Sequence, residues 1–406
     1  MQTKKWYSLA DKVWDPRNLA KAAAAVLAHG GAPGIDHVSC DRFAEQWDAR
    51  LDELAQALRA HPYHPLAVQR VSIPKPGTTK QRPLGIPAVR DRVVQQALRQ
   101  VLEPIWDPTF SPNSYGFRPG RSAHDAVSVI YDRLLQGYHW VVDADIQAFF
   151  DSIDHETLLD RVADRISDGT VLRWLREMLT AGVLEDGTTQ PTLVGTPQGG
   201  VISPLLANIY LHPLDIAMDA LPDIQFVRYA DDWCVLARSE ADAQKALQVA
   251  QAVIEGPLGL HLHPTKTRIV DAHHTPFDFL GFTFFWSDPG ATGRPLFAPK
   301  SAAVEKFKDR IRGLTRRTRP LNVTMVMRDL APVIRGWGAY FAISHAGPLF
   351  GRLDPWIRER LRAFVSKRWN RSAALDREWP HPRFFDLGLP SLIVMRQKVR
   401  RTLPRP

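Results

Sequence analysis

The chain has 406 residues, 45% of them apolar and 23% charged, an ordinary globular composition that is long enough for two or three domains with sizeable cores. No apolar run approaches the roughly 20 residues that span a bilayer, Met1-Gln2-Thr3-Lys4-Lys5-Trp6 leads into no signal-type core, and two cysteines, Cys40 and Cys234, supply neither a disulfide framework nor a zinc cluster. A reducing cytoplasm with no membrane contact is therefore expected. The net charge of +9 is uneven: residues 301–406 carry 23 Lys+Arg against 8 Asp+Glu, a net of +15, which leaves −6 on the remainder and suits a phosphate-rich partner of the C-terminal quarter.

In chain order, the first sixty residues read as helical, with a break at Gly30-Gly31-Ala32-Pro33-Gly34-Ile35-Asp36. Val68–Pro74 and Arg82–Pro87 read as extended pieces around the turn Lys75-Pro76-Gly77. From Asp91, the spacing of Val94, Ala97, Leu98, Val101, Leu102 and Ile105 predicts a helix. Trp140–Ile146 looks like a buried strand, followed by helical patterns to about residue 182. Ser203-Pro204 is expected to open another helix, with Ser as N-cap and Pro at the first helical position.

Ile224–Arg228 and Trp233–Ala237 then flank Tyr229-Ala230-Asp231-Asp232 as a β-hairpin with acids at its turn. A helix over Ala241–Ile254 and strand-like pieces near Thr267–Val270 and Phe277–Phe285 follow. Strands and helices interspersed without strict alternation predict an α+β, palm-like core. Beyond Pro299 the pattern is helical: Leu353, Trp356, Ile357, Leu361, Phe364 and Val365 form a stripe, with Arg358, Arg360, Arg362 and Lys367 mostly off it. The proline- and arginine-rich last thirty residues read as irregular.

Adjacent carboxylates at a hairpin tip repel, and a site that holds them usually contains a cation. Asp is also a common turn residue, so Asp231 and Asp232 alone say little. A second acidic run, Asp143-Ala144-Asp145-Ile146, puts Asp143 and Asp145 on one face of a strand. Together these acids make a candidate divalent-metal cluster for phosphoryl transfer, and all-oxygen ligation favours Mg²⁺ over zinc.

Several strings taken in order resemble group II intron-type reverse transcriptases. They are Ile73-Pro74-Lys75-Pro76, Arg82-Pro83-Leu84-Gly85-Ile86-Pro87, Asn113-Ser114-Tyr115-Gly116-Phe117-Arg118-Pro119-Gly120-Arg121-Ser122, Asp145-Ile146 with Phe149-Phe150, Gly195-Thr196-Pro197-Gln198-Gly199-Gly200, and Tyr229-Ala230-Asp231-Asp232. The likeness runs from Gly30 to Gly388 and implies a right-handed polymerase. Its parts would be a helical N-terminal extension over 1–60, fingers and palm over 61–290, a helical thumb or maturase domain X over 291–375, and a basic tail over 376–406.

The resemblance implies Asp145, Asp231 and Asp232 as catalytic acids. With Ile146 they form the metal set, for two Mg²⁺ ions with Mn²⁺ as a substitute. It implies Lys75, Arg82, Phe150, Gln198 and Lys266 as nucleotide contacts, Phe150 being the gate that crowds a ribose 2′-hydroxyl. Asp143 stays outside the catalytic set. Arg335-Gly336-Trp337-Gly338-Ala339-Tyr340-Phe341 resembles domain X, where Arg316, Arg317, Arg319 and Arg335 would contact RNA phosphates. Many such intron proteins end in a Cys/His-rich endonuclease domain; with no paired cysteines after Cys234, none is expected here.

The implied function is an RNA-directed DNA polymerase that also serves as an intron maturase. Its partners would be an RNA template, structured intron RNA, a DNA primer or target, and deoxynucleoside triphosphates. One rival is a domesticated relative in phage defence, CRISPR adaptation or DNA repair. Another is an RNA-binding splicing factor with a vestigial site, against which the intact acids and Gln198 argue.

Overall fold

The computed structural model describes residues 5–60, 63–74, 81–185, 188–190, 194–196, 199–288, 293–366 and 377–402. The chain forms two compact units, Met1–Ala126 with Trp140–Ile269, and Val127–His139 with Val270–Pro406.

The first unit opens with the helices Ala10–Val13, Pro16–His29, Cys40–Glu45 and Trp47–Ala60. Asp15 caps the second of these, accepting from Arg17 N at 2.8 Å, with Pro16 at the first helical position where its missing N–H costs nothing. Leu19, Ala22, Ala23 and Val26 recur at helical spacing and bury that helix against Val89–Trp106, the helix expected from Asp91.

Two sheets follow. Strands β1 (Val68–Pro74), β2 (Gln81–Ile86), β4 (Val183–Glu185) and β5 (Thr188–Gln190) pair in the order β2-β1-β4-β5. Strands β3 (Trp140–Ala144), β6 (Ile224–Tyr229), β7 (Asp232–Ala237) and β8 (Arg268–Asp271) pair in the order β6-β7-β3-β8. Helix Glu240–Glu255 covers β3 and β7 through Ala243, Ala246, Ala250 and Ile254, and its alanines permit close approach to the sheet. Helix Ser203–Asp219 is apolar almost all round, as a helix buried on several sides must be. Each fully buried Leu or Ile, such as Leu205, Ile209 and Leu214, contributes about 1.5–3 kcal/mol.

One boundary differs from expectation. Ile202, not Ser203, is the capping residue, and it makes no side-chain cap; Ser203 is already helical. Proline is tolerated throughout a first helical turn, so its position left the start uncertain by a residue.

In the second unit the run Phe277–Phe285 is two strands, β9 (Phe277–Phe279) and β10 (Phe282–Trp286), and β11 (Pro295–Pro299) completes a sheet in the order β11-β10-β9. Leu280 (φ +47°) and Gly281 (φ +80°) make the two-residue turn, both left-handed as such hairpins require. Leucine gives no turn signal, which hid the break. After that sheet the described helices are Ser301–Leu314, Val323–Phe341, Gly347–Ser366, His381–Asp386 and Leu392–Thr402.

The last two helices correct the irregular tail. The buried carboxylate of Asp354 accepts from Leu392 N (3.0 Å), Ile393 N (3.2 Å) and Ser391 Oγ (2.7 Å), so a cap supplied from 38 residues upstream starts the final helix. Arg358 and Arg362 also depart from expectation, being buried. Arg362 donates to the Trp379 carbonyl at 3.1 and 2.9 Å and lies over the Phe384 ring. Among the described residues no helix is long and apolar enough to cross a membrane.

Candidate active site

Strands β6 and β7 run antiparallel with Tyr229 opposite Asp232, leaving Ala230 and Asp231 as the turn. Strand β3 pairs antiparallel with β7, Asp143 opposite Cys234 and Ala144 opposite Trp233. One further step of that register sets Asp145 opposite Asp232. The acids expected from two distant stretches therefore share one end of one sheet. Chain direction at Asp145 is held by His263 N donating to its carbonyl (2.7 Å) and by the bridge between Ile146 and Leu262. That same segment delivers Lys266, whose Nζ lies 2.5 Å from Asp145 Oδ2. Asp143, left out of the catalytic set, pairs with Arg268 at 3.1 Å.

The hairpin tip is gripped by Arg228, Asp215 and Asn208, which the motifs did not single out, and by Gly116, which one of them contains. Arg228 and Asp215 are both fully buried, and the guanidinium donates in a fork to the two Asp215 oxygens at 2.6 and 2.5 Å. Its other arm donates to Asn208 Oδ1 and to the Ala230 carbonyl, each at 2.9 Å. Asn208 and Asp215 stand seven residues apart on one face of a helix, and Asn208 donates to the Gly116 carbonyl at 2.8 Å. Gly116 lies so close to the tip that a Cβ there would come within 2.3 Å of Ala230 N. Ala230 itself is left-handed at φ +58°, a conformation an alanine holds only where its surroundings impose it. The one sequence signal was a charge inside an otherwise apolar strand.

Asp232 is solvent-accessible, but the protein crowded around it strips hydration from its carboxylate. Repulsion from Asp231, Asp145 and Asp143 adds to this and outweighs Lys266, so the carboxyl is pushed up to about 6. A cluster of carboxylates under mutual strain, already drawing an ammonium onto Asp145, has the donor set of a hard divalent cation. Ile146 is buried with an apolar side chain, so only its main-chain carbonyl could join that set.

Phe150 is half-buried and meets the buried Phe149 edge to face, with ring centroids 5.1 Å apart. Its carbonyl accepts from Thr196 N at 2.8 Å, joining the expected gate to the Gly195-Thr196 motif. Lys75, Gln198 and the side chain of Arg82 lie outside the described residues. In the same motif as Gln198, Gly199 (φ +121°) packs so that a Cβ would meet the Gly85 carbonyl at 2.4 Å. In the second unit Arg316, Arg317 and Arg335 are exposed. Arg319 is turned inward, pairing with Asp329 and donating to the Leu314 carbonyl, both at 2.8 Å. Trp337 stacks on Phe307 with centroids 4.4 Å apart, as a packing residue does.

A family model described as "Reverse transcriptase (RNA-dependent DNA polymerase)" matches residues 73–284, and one described as "Group II intron, maturase-specific domain" matches residues 304–383. The chain is 34% identical to Protein YkfC of Escherichia coli over 308 residues, 66% of this chain and 80% of that protein. It is 28% identical over 404 residues to an "Uncharacterized 91 kDa protein in cob intron" of Schizosaccharomyces pombe, covering 81% of this chain and 49% of that one. Group II intron-encoded protein LtrA of Lactococcus lactis is 43% identical over 182 residues, 45% of this chain and 30% of LtrA. The chain thus spans half or less of these last two relatives.

Proposed function

The chain belongs to the reverse transcriptase family, as a member that also carries the maturase-specific domain of group II intron proteins, and we propose that it copies RNA into DNA at Asp145, Asp231 and Asp232. The observation that most supports this is the carboxylate cluster, assembled by strand register and held under electrostatic strain. Divalent metal dependence is general to the family; we propose Mg²⁺, with Mn²⁺ as a substitute, held by the three carboxylates and the Ile146 carbonyl. Bound there, such ions supply positive charge that eases attack of a primer 3′-hydroxyl on the α-phosphate and departure of pyrophosphate.

The chain's own side chains complete the site. In the proposed reaction Lys266 balances Asp145 before substrate arrives and then turns to the incoming phosphate. Phe150, backed by Phe149, crowds the sugar 2′-position; Lys75, Arg82 and Gln198 contact the nucleotide. The fingers and palm span 61–290 and the thumb or domain X 291–375. There Arg316, Arg317 and Arg335 hold phosphates of the template duplex and of structured intron RNA, while Arg319 stays paired with Asp329. The proposed setting is the cytoplasm, where Cys40 and Cys234 remain reduced.

Primer extension on an RNA template with Mg²⁺ and deoxynucleotides tests the proposal. Wild type extends, and Asp231→Asn abolishes extension while RNA affinity stays within about twofold. Failure of the wild type to extend where it binds RNA would overturn it. Sequencing the RNA that copurifies tests the maturase part, for which intron RNA is the expected species.

A further inference from the structure

We propose that His139, Asp271 and His273 form a second metal site, separate from the carboxylate cluster, that takes one borderline divalent cation of the zinc, nickel or cobalt class. One ligand atom from each of the three half-buried side chains lies within 4.8 Å of the others. His139 directly precedes β3, at the opposite end of that strand from Asp145; Asp271 ends β8, and His273 lies in the turn beyond it. A backbone bond from Ala272 N to the His139 carbonyl (2.8 Å) ties these segments together, so the convergence belongs to the fold.

The local geometry has the features of a chelate. His139 Nδ1 lies 3.0 Å from the Gly137 carbonyl; donating there leaves the lone pair on Nε2, the arrangement common for metal-bound imidazole. His273 Nδ1 and Asp271 Oδ1 are 3.1 Å apart, and neighbouring ligands about 2.1 Å from one ion stand about 3.0 Å apart at right angles and about 3.4 Å apart at tetrahedral angles. The two imidazole centroids are 4.2 Å apart. The Trp286 ring, at 4.5 Å and 72°, buttresses His273. His273 N donates to Asp271 Oδ1 at 3.0 Å, and His274 faces Asp271 Oδ2 at 3.9 Å.

The donor chemistry separates the two sites. Two imidazoles and a carboxylate favour borderline ions, whereas all-oxygen ligation favours Mg²⁺.

The experiment titrates the chelator-stripped full chain with zinc chloride in excess Mg²⁺, by calorimetry and thermal melting. One equivalent should bind to wild type and to Asp231→Asn alike, and raise the melting temperature of both. His139→Gln and His273→Gln, on separate segments, should each weaken binding at least about tenfold. Loss of the equivalent in Asp231→Asn, unchanged isotherms in the glutamine variants, or no zinc uptake would each overturn the proposal. Should either variant fold poorly, the wild type still decides. A wild-type melting temperature that zinc leaves unchanged would overturn the site. These readouts are independent of polymerase activity.

Discussion

A carboxyl whose titration is pushed up to about 6, as Asp232's is by lost hydration and by its acidic neighbours, is largely protonated below that pH and holds a cation poorly. The Mg²⁺ concentration for half-maximal extension should therefore rise as pH is lowered from about 7.5 to about 5.5. The effect on folding has the opposite sense in metal-free protein. Because the folded-state value is raised, the neutral group's contribution to stability is present in acid and is lost as pH rises through about 6. Asp232→Asn should raise the metal-free melting temperature at pH 7.5 and leave it nearly unchanged near pH 4. Phe150 makes a separate prediction: Phe150→Ala should increase ribonucleotide incorporation by about tenfold or more, and unchanged sugar selectivity in competition assays would remove it as the gate.

At the scale of elements, the β6–β7 hairpin is held by a buried charged fork and a close glycine contact. Removing one partner of a buried ion pair costs about 3–5 kcal/mol, so Arg228→Met or Asp215→Asn should lower the urea midpoint markedly. Arg228→Lys keeps the charge but cannot reach Asp215, Asn208 and the Ala230 carbonyl together. Gly116→Ala pushes a methyl group into the tip. Both changes should reduce extension by about 10²-fold, the typical loss for a displacement near 1 Å, with RNA affinity retained. Little of this clamp could be read beforehand. Asp215 and Asn208 are 13 and 20 residues from Arg228, and their meaning depends on which face of their helix meets the strand. The acids were legible because strand alternation and a two-residue turn are local properties.

Across the whole molecule, charge divides by chain position, −6 before residue 301 and +15 after it. If the exposed Arg316, Arg317 and Arg335 each neutralise a phosphate, replacing all three by alanine should make the slope of log affinity against log salt shallower by about 2. An unchanged slope in filter binding would place the RNA contacts elsewhere. Basic composition alone overstated that surface: Arg358 and Arg362 are buried, and Arg319 is tied to Asp329. Proline content likewise misled at the C-terminus. Pro382 sits in the first turn of His381–Asp386, where proline is harmless, and the cap of the final helix comes from Asp354 in another element.

The sequence by itself determined the family and most of the element types, because periodicity, turn residues and motif strings act over a few neighbouring positions. From these alone Asp145, Asp231 and Asp232 could be expected together, and the family named. Only the tertiary structure decided how they are held. Register set Ala144 opposite Trp233 and so brought Asp145 to the end of the sheet that carries Asp232, burial turned Arg228 from a strand residue into a clamp, and packing brought His139 beside His273. Each of these depends on contacts between segments far apart in the chain, and such contacts leave no local periodicity to read.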